Sequence, residues 1–172
     1  DRVVERGSYA RITVETPDVT TRITTTVSGL SDVASIALPF ACDADASFVG
    51  FGEQYNQTDQ RGEAFPLWVE EQGIGRELGG AVAGNEHTTY FPMPWWIDWR
   101  GFGVMVDTPA RTLVDLCVED PEVAWVEVEH DAPVEVLVFH GPTVPDLIRT
   151  LGDEVGRSDL PPDWAFSPWI GI

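Results

Sequence analysis

The sequence predicts an all-β fold, an antiparallel two-sheet β-sandwich followed by one short helix. Apolar and polar residues alternate with period two in many short runs, as they do in strands that bury one face. The 16 glycines and 13 prolines lie between these runs rather than in a low-complexity block, so they indicate turns. With 172 residues, the chain can bury one hydrophobic core of ordinary size.

Alternating runs rich in β-branched residues begin the chain, at residues 11–15, 22–27 and 34–38. Turn residues follow each of them, which favours antiparallel neighbours. Residues 95–98 and 104–107 flank Gly101 and Gly103, which predicts a hairpin because glycine readily adopts the positive φ of a tight reversal. Three further runs follow at residues 112–118, 123–129 and 134–140. About ten strands at this spacing favour a two-sheet sandwich.

A helix is predicted near the carboxyl end, where Thr143 can cap a segment with apolar residues at helical spacing and Gly156 can end it. The apolar residues are Leu147, Ile148, Leu151 and Val155. After a proline-rich connector, the apolar residues from Asp163 onward are typical of another strand. We therefore expect a sandwich domain at 1–143, a linking helix and connector at 144–162, and the first strand of a second domain at 163–172.

The charge of the chain is strongly negative. The chain has 29 acidic residues, ten arginines and no lysine, which gives a formal net charge of −19. Such a surface repels phosphate backbones and anionic membranes, so neither a nucleic acid nor a membrane is an expected partner. A lysine-free acidic surface fits either a salt-rich habitat, where ions screen the self-repulsion, or a genome that prefers arginine. The sequence begins without an initiating methionine, so we expect a piece of a longer protein. Its first residues do not resemble a signal peptide, and the cytoplasm is the default location.

The cysteines and histidines give no metal or redox motif. Cys42 and Cys117 are too few for a disulfide framework and lack metal-ligand spacing, so we expect two reduced, buried thiols. His87, His130 and His140 share no metal-ligand spacing. Phosphate-binding and dinucleotide-binding motifs are missing from the sequence. We therefore expect no metal and no cofactor.

Residues 71–76 form a glycine-flexed segment with chemically useful side chains. Glu71, Gln72 and Arg76 present a carboxylate, an amide and a guanidinium, which suit the hydroxyls or an anionic substituent of a sugar. The alternative is a surface turn in which Arg76 pairs with Glu71 or Glu77, and such exposed pairs contribute only about 0–1 kcal/mol.

Two other motifs are ambiguous between scaffold and ligand contact. In residues 52–62, polar groups such as Glu53 and Gln54 either contact a ligand or bond one another and the backbone, since buried polar groups need partners. In residues 89–96, two prolines predict an edge or bulged strand. Its aromatic residues either stack on a sugar or pack in the core.

Taken in order, residues 52–55 (GEQY), 67–76 (LWVEEQGIGR), 89–96 (TYFPMPWW) and 160–166 (LPPDWAF) resemble the amino-terminal β-sandwich of family 31 retaining α-glycosidases. The resemblance implies a galactose mutarotase-like sandwich followed by a catalytic (β/α)8 barrel, truncated here at its first strand. It also implies that Glu71, Gln72 and Arg76 belong to a loop that lines the sugar pocket. Residues 66–76 are most similar to the branch that includes sulfoquinovosidases, although α-glucosidases and α-xylosidases share similar loops.

No catalytic residue is expected within this segment. Retaining hydrolysis needs two carboxyl groups about 5–5.5 Å apart on opposite sides of the bond. Glu70 and Glu71 fail this requirement, because adjacent residues of an extended chain point to opposite faces. The resemblance places two catalytic aspartates in the barrel, so the segment alone is expected to be inactive.

The function expected from the resemblance is therefore that of an accessory domain. It would pack on its own carboxyl-terminal barrel and help to bind an α-glycoside, with carbohydrate and barrel as its partners. Two alternatives remain open. One is a stand-alone carbohydrate-binding module that uses the aromatic strand as a platform, and the other is a purely structural sandwich without a ligand.

Overall fold

The structure is a computed structural model that describes residues 9–16, 19–28, 33–70, 86–129 and 133–169. In these ranges the chain forms ten strands, an α-helix and a short 3-10 helix. The strands are β1 (Tyr9–Glu15), β2 (Thr20–Ser28), β3 (Ser35–Ala41), β4 (Phe48–Gly52), β5 (Ala64–Leu67), β6 (Pro92–Asp98), β7 (Phe102–Asp107), β8 (Thr112–Asp120), β9 (Val123–Glu129) and β10 (Val134–His140).

The strands form two antiparallel sheets, which confirms the predicted two-sheet β-sandwich. The larger sheet has the order β1-β2-β10-β7-β6-β4 and the smaller one β3-β9-β8-β5. The predicted hairpin is β6 and β7, which pair from Trp95 with Met105 to Asp98 with Phe102. Strands β8 to β10 alternate buried and half-buried residues, as strands with one face on a core do.

The main core lies between the two sheets and is rich in aromatic rings. The ring of Phe51, which is fully buried, stacks on Trp96 at 5.3 Å between centroids. It also meets Phe65 edge-on at 5.5 Å, and Phe40 meets Trp96 in the same way at 5.5 Å. Such pairs contribute about 0.5–1.5 kcal/mol each beyond the burial of their area.

The predicted helix is α1 (Val144–Val155), and it covers the outer face of the larger sheet. Thr143 caps it by accepting a hydrogen bond from the backbone N–H of Asp146. Leu147 is buried in a second apolar cluster against Trp95 and Phe139. Within the described ranges, no helix is long and apolar enough to cross a membrane.

The prediction of a strand from Asp163 onward is wrong for residues 163–169, which are the ones that the structure describes. Asp163–Phe166 form a 3-10 helix. The N–H of Ala165 donates to the carbonyl of Pro162 at 2.9 Å, and the N–H of Ser167 donates to that of Trp164 at 3.1 Å. These local bonds use groups that a strand would offer to a neighbouring strand. Assignment of 163–172 to a second domain stays a prediction.

The expectation of two reduced cysteines is also wrong, because Cys42 and Cys117 form a disulfide with a Cα–Cα distance of 6.3 Å. Cys42 follows β3, and Cys117 lies where the pairing of β8 with β9 shifts register. Strand β9 lies between β3 and β8, and the cysteines meet beyond its start, where the N–H of Cys42 donates to the carbonyl of Glu122 at 2.8 Å. The sheet order thus places residues that are 75 positions apart at the same end of one sheet. Alternation of apolar residues does not reveal that order.

Gly52 occupies a position where a side chain would collide with the neighbouring strand. Its φ is 82°, and an added Cβ would lie 2.0 Å from the carbonyl oxygen of Phe91 and 2.7 Å from the backbone nitrogen of Met93. Gly62 has a similar φ of 84° but faces open space. Comparing substitutions at the two glycines therefore separates the energetic cost of a positive φ from the cost of a collision with the neighbouring backbone.

We expect the disulfide to stabilise the domain by about 2–5 kcal/mol, because it restricts the unfolded chain over a long loop. In urea unfolding, Cys42→Ala/Cys117→Ala should lower the free energy of unfolding by that amount, and a reductant should do the same to the wild type. The double variant is its own control, since a reductant should not affect it. If reductant left the unfolding midpoint of the wild type unchanged, the disulfide would not contribute to stability, and this prediction would be wrong.

We expect Gly52→Ala to be more destabilising than Gly62→Ala. Both variants force alanine into a left-handed conformation, at about 1–2 kcal/mol. Only Gly52→Ala also forces two backbones apart, which should add about 1–3 kcal/mol. Thermal or urea unfolding of both variants measures the difference, and equal losses would show that the close approach at Gly52 is relieved without cost.

Candidate functional site

The two ends of the predicted sugar-pocket loop lie side by side on the sandwich. The loop residues Glu71, Gln72 and Arg76 fall within 71–85, outside the described residues, whereas the residues on both sides are described. Val69 forms a parallel bridge with Thr89, and the N–H of Glu70 donates to the carbonyl of Thr89 at 2.9 Å. We call residues 68–70 and 86–89 the loop stem.

The GEQY motif supports the loop stem through its backbone. Glu53 donates its N–H to the carbonyl of Phe91 at 3.0 Å, and Tyr55 donates its N–H to the carbonyl of Glu86 at 3.1 Å. The carboxylate of Glu53 accepts from the hydroxyls of Tyr55 at 3.1 Å and Thr89 at 3.3 Å. Residues on one side of the loop are thus tied to a motif more than thirty positions earlier.

Gln54 orients a histidine of the stem. Its amide nitrogen donates to the carbonyl of Phe51 at 3.2 Å, so its amide oxygen faces Nδ1 of His87 at 2.8 Å. The imidazole of His87 also stacks on Phe65, with 4.2 Å between ring centroids. The contacts of Glu53 and Gln54 favour the scaffold interpretation of this motif over direct ligand contact.

A second polar network holds the turn that follows the motif. The side-chain amides of Asn56 and Gln60 form two hydrogen bonds with each other, both at 3.0 Å. Gln60 is only 1% exposed, so its amide needs such a partner. Asp59 accepts from the backbone N–H groups of Phe48 and Arg61 at 3.0 Å each. Partial burial raises the pKa of Asp59, but hydrogen bonds to the ionised carboxylate outweigh it and hold the pKa below its usual value. Both networks satisfy polar groups that would otherwise be costly to bury.

The aromatic segment 89–96 divides between core and surface. Trp95 and Trp96 are both buried, on opposite faces of the larger sheet, because α1 covers the outer face. Tyr90 and Phe91 are 50% and 57% exposed and lie next to the loop stem. Only the start of this segment can therefore offer rings to a ligand.

Exposed apolar side chains continue along the stem. Trp68 and Val69 are 46% and 59% exposed. They line a shallow cleft of about 180 Å³ together with Pro92, Pro94 and Pro109. Exposed rings of this kind can stack on the apolar face of a sugar.

One set of described side chains could hold a metal ion. Glu63, Glu86 and His87 each offer a ligand atom, and these atoms lie within 4.8 Å of one another. Glu63 lies just before β5, and the other two are in the loop stem. Sequence spacing missed this group because 23 positions separate Glu63 from Glu86.

Comparisons with known proteins agree with the two-sheet sandwich that carries the loop stem. A family model described as the glycosyl hydrolase 31 N-terminal galactose mutarotase-like domain matches residues 10–115. A sulfoquinovosidase of Agrobacterium fabrum is 30% identical over 141 residues, covering 76% of this chain and 21% of that protein. A 1,3-alpha-isomaltosidase of Kribbella flavida is 33% identical over 125 residues, covering 70% and 16%.

Solved structures show the same fold. A cycloalternan-degrading enzyme from Trueperella pyogenes, in complex with isomaltose, matches with a TM-score of 0.65 and 28% identity over 88% of this chain and 21% of its own. A GH31 family sulfoquinovosidase from E. rectale has a TM-score of 0.65 at 17% identity, over 92% of this chain and 31% of its own.

The chain spans about a fifth of the length of the curated relatives that it matches. Their names are those of glycosidases. Because the family model covers more than half of the chain, this chain belongs to the galactose mutarotase-like amino-terminal domains of glycoside hydrolase family 31.

Proposed function

We propose that this chain serves a retaining α-glycosidase as an accessory domain that presents a loop to the sugar pocket. The observation that carries the proposal is the loop stem, in which Glu70 and Thr89 are hydrogen-bonded across the base of residues 71–85. A loop whose two ends are fixed on a rigid sandwich holds its side chains in place at a lower entropic cost than a free segment.

In this proposal Glu71, Gln72 and Arg76 orient the substrate rather than react with it. A guanidinium donates to hydroxyls or to an anionic substituent, an amide both donates and accepts, and a carboxylate accepts. The nucleophile and the acid/base of a retaining enzyme are two carboxyl groups about 5–5.5 Å apart. We place them in a barrel outside this chain, which spans only about a fifth of the relatives' length.

Exposed apolar side chains near the carboxyl end support a packing surface for that barrel. Ile148 and Val155 of α1 are 54% and 55% exposed, and Trp164, Phe166 and Trp169 are 65%, 69% and 75% exposed. Trp164 and Trp169 also contact each other, with 5.9 Å between ring centroids, and clustered exposed apolar groups are typical of interaction sites. The substrate is proposed as an α-glycoside, and its glycone stays open because the relatives' names differ in it.

We expect Arg76→Ala and Gln72→Ala, made in the intact enzyme, to lower kcat/KM for an α-glycoside by about 10-fold to 100-fold. Loss of a hydrogen bond from a charged group costs about 1.5–3 kcal/mol, so the arginine variant should lose more. Melting temperatures should stay within a degree or two of the wild type. Arg157→Ala is the matched control, since Arg157 forms an exposed pair with Asp153 on α1. Unchanged kinetics in both loop variants would refute the pocket-lining role.

We also expect the 172-residue segment alone to show no turnover of aryl α-glycosides, because its carboxylates do not form a catalytic pair in this proposal. The intact enzyme, assayed in parallel at equal concentration, is the positive control. Hydrolysis by a segment preparation free of other glycosidases would overturn the placement of the chemistry in the barrel.

A further inference from the structure

The group formed by Glu63, Glu86 and His87 has features of a built site rather than of a chance cluster. The imidazole is 9% exposed, and its Nε2 lies 3.7 Å from Oε2 of Glu63. Glu63 is half-buried and Glu86 is exposed, so the group lies at the surface with its nitrogen ligand on the inner side. The ligand atoms are within 4.8 Å of one another.

The ring of His87 is held in one orientation by two independent contacts. It stacks on Phe65 with an angle of 7° between the ring planes. Its Nδ1 lies 2.8 Å from the amide oxygen of Gln54, and a carbonyl oxygen can only accept, so Nδ1 carries a proton. Nε2 then faces the carboxylates. Histidines that bind metals almost always donate their other N–H to an oxygen acceptor in this way, which fixes both tautomer and ring orientation.

We propose that Glu63, Glu86 and His87 bind a divalent transition-metal ion, with Zn²⁺ as the best match. One imidazole nitrogen and two carboxylates suit zinc, whereas calcium and magnesium prefer oxygen ligands alone. Tetrahedral zinc with bonds of about 2.0–2.1 Å holds its ligand atoms about 3.4 Å apart. The three ligand atoms are at most 4.8 Å apart. A change of rotamer in the exposed side chain of Glu86 would bring them to the separation that zinc requires, and a water molecule would be the fourth ligand.

The metal ion would act as a clamp at the carboxyl end of the sugar-pocket loop. It would join Glu86 and His87, which follow the loop directly, to Glu63 beside β5. Through Gln54 it would also connect to the motif that supports the stem. The competing arrangement is a protonated His87 in an ion pair with the two carboxylates, which needs no metal.

Calorimetric titration of the chelator-treated intact protein with Zn²⁺ tests the proposal. Glu63→Gln/Glu86→Gln keeps the shape of the side chains but removes both anionic ligands. We expect the wild type to bind one more Zn²⁺ than this variant, or to bind it at least 100-fold more tightly. Glu119→Gln/Glu122→Gln, which removes the same charge from exposed positions, should bind Zn²⁺ like the wild type.

Two further variants keep the test decisive if the double variant folds poorly. Glu86→Gln changes one exposed residue and should weaken Zn²⁺ binding at least 10-fold. Gln54→Ala removes the partner that orients His87 and should weaken it about 10-fold to 100-fold. Equal stoichiometry and affinity in the wild type and in Glu86→Gln would overturn the proposal and leave the ion pair as the explanation. The result does not depend on glycosidase activity, so it can fail while the proposed function holds.

Discussion

The bulge at residues 50–52 is the constraint on which both the core and the candidate site depend. The pairing of β4 with β6 shifts register there, and Phe51 has a φ of 68° between two glycines of positive φ. A bulky residue in this conformation costs about 1–2 kcal/mol. Full burial of its ring against Trp96 and Phe65 offsets that cost, since burying a phenylalanine side chain contributes about 1.5–3 kcal/mol. The strained turn then directs the following residues onto the loop stem.

Arginine has an unusual structural role in this acidic chain. Arg100 pairs with the fully buried carboxylate of Asp98 and with exposed Asp43, and it also donates to the carbonyl of Ala41. It thereby joins the β6–β7 turn to the end of β3. Exposed ion pairs contribute little, but Asp98 would be a costly buried charge without its partner. A guanidinium suits this task better than an ammonium, because its planar fork reaches several acceptors at once.

The sequence allowed prediction of features that depend on local patterns. Alternation located β1 to β3 and β6 to β10 but not the short strands β4 and β5. Thr143 and Gly156 located the ends of α1, because caps act on adjacent backbone groups. The burial of both Trp95 and Trp96 was harder to predict. Alternation implies that one ring points into the sandwich, but it does not show that α1 covers the other ring. The disulfide and the Glu63–Glu86–His87 group depend on sheet order and on contacts between distant residues. Periodicity carries no information about those. The 3-10 helix after Pro162 is held by local hydrogen bonds, but a short apolar run does not distinguish a helical turn from a strand.

The bond between Cys42 and Cys117 bears on where this protein resides. Glutathione and thioredoxin keep the thiols of an ordinary cytosol reduced, whereas such bonds persist in the periplasm, in secretory compartments and outside the cell. On this ground we propose that the domain works in oxidising surroundings rather than in the cytoplasm, which the sequence suggested only by default.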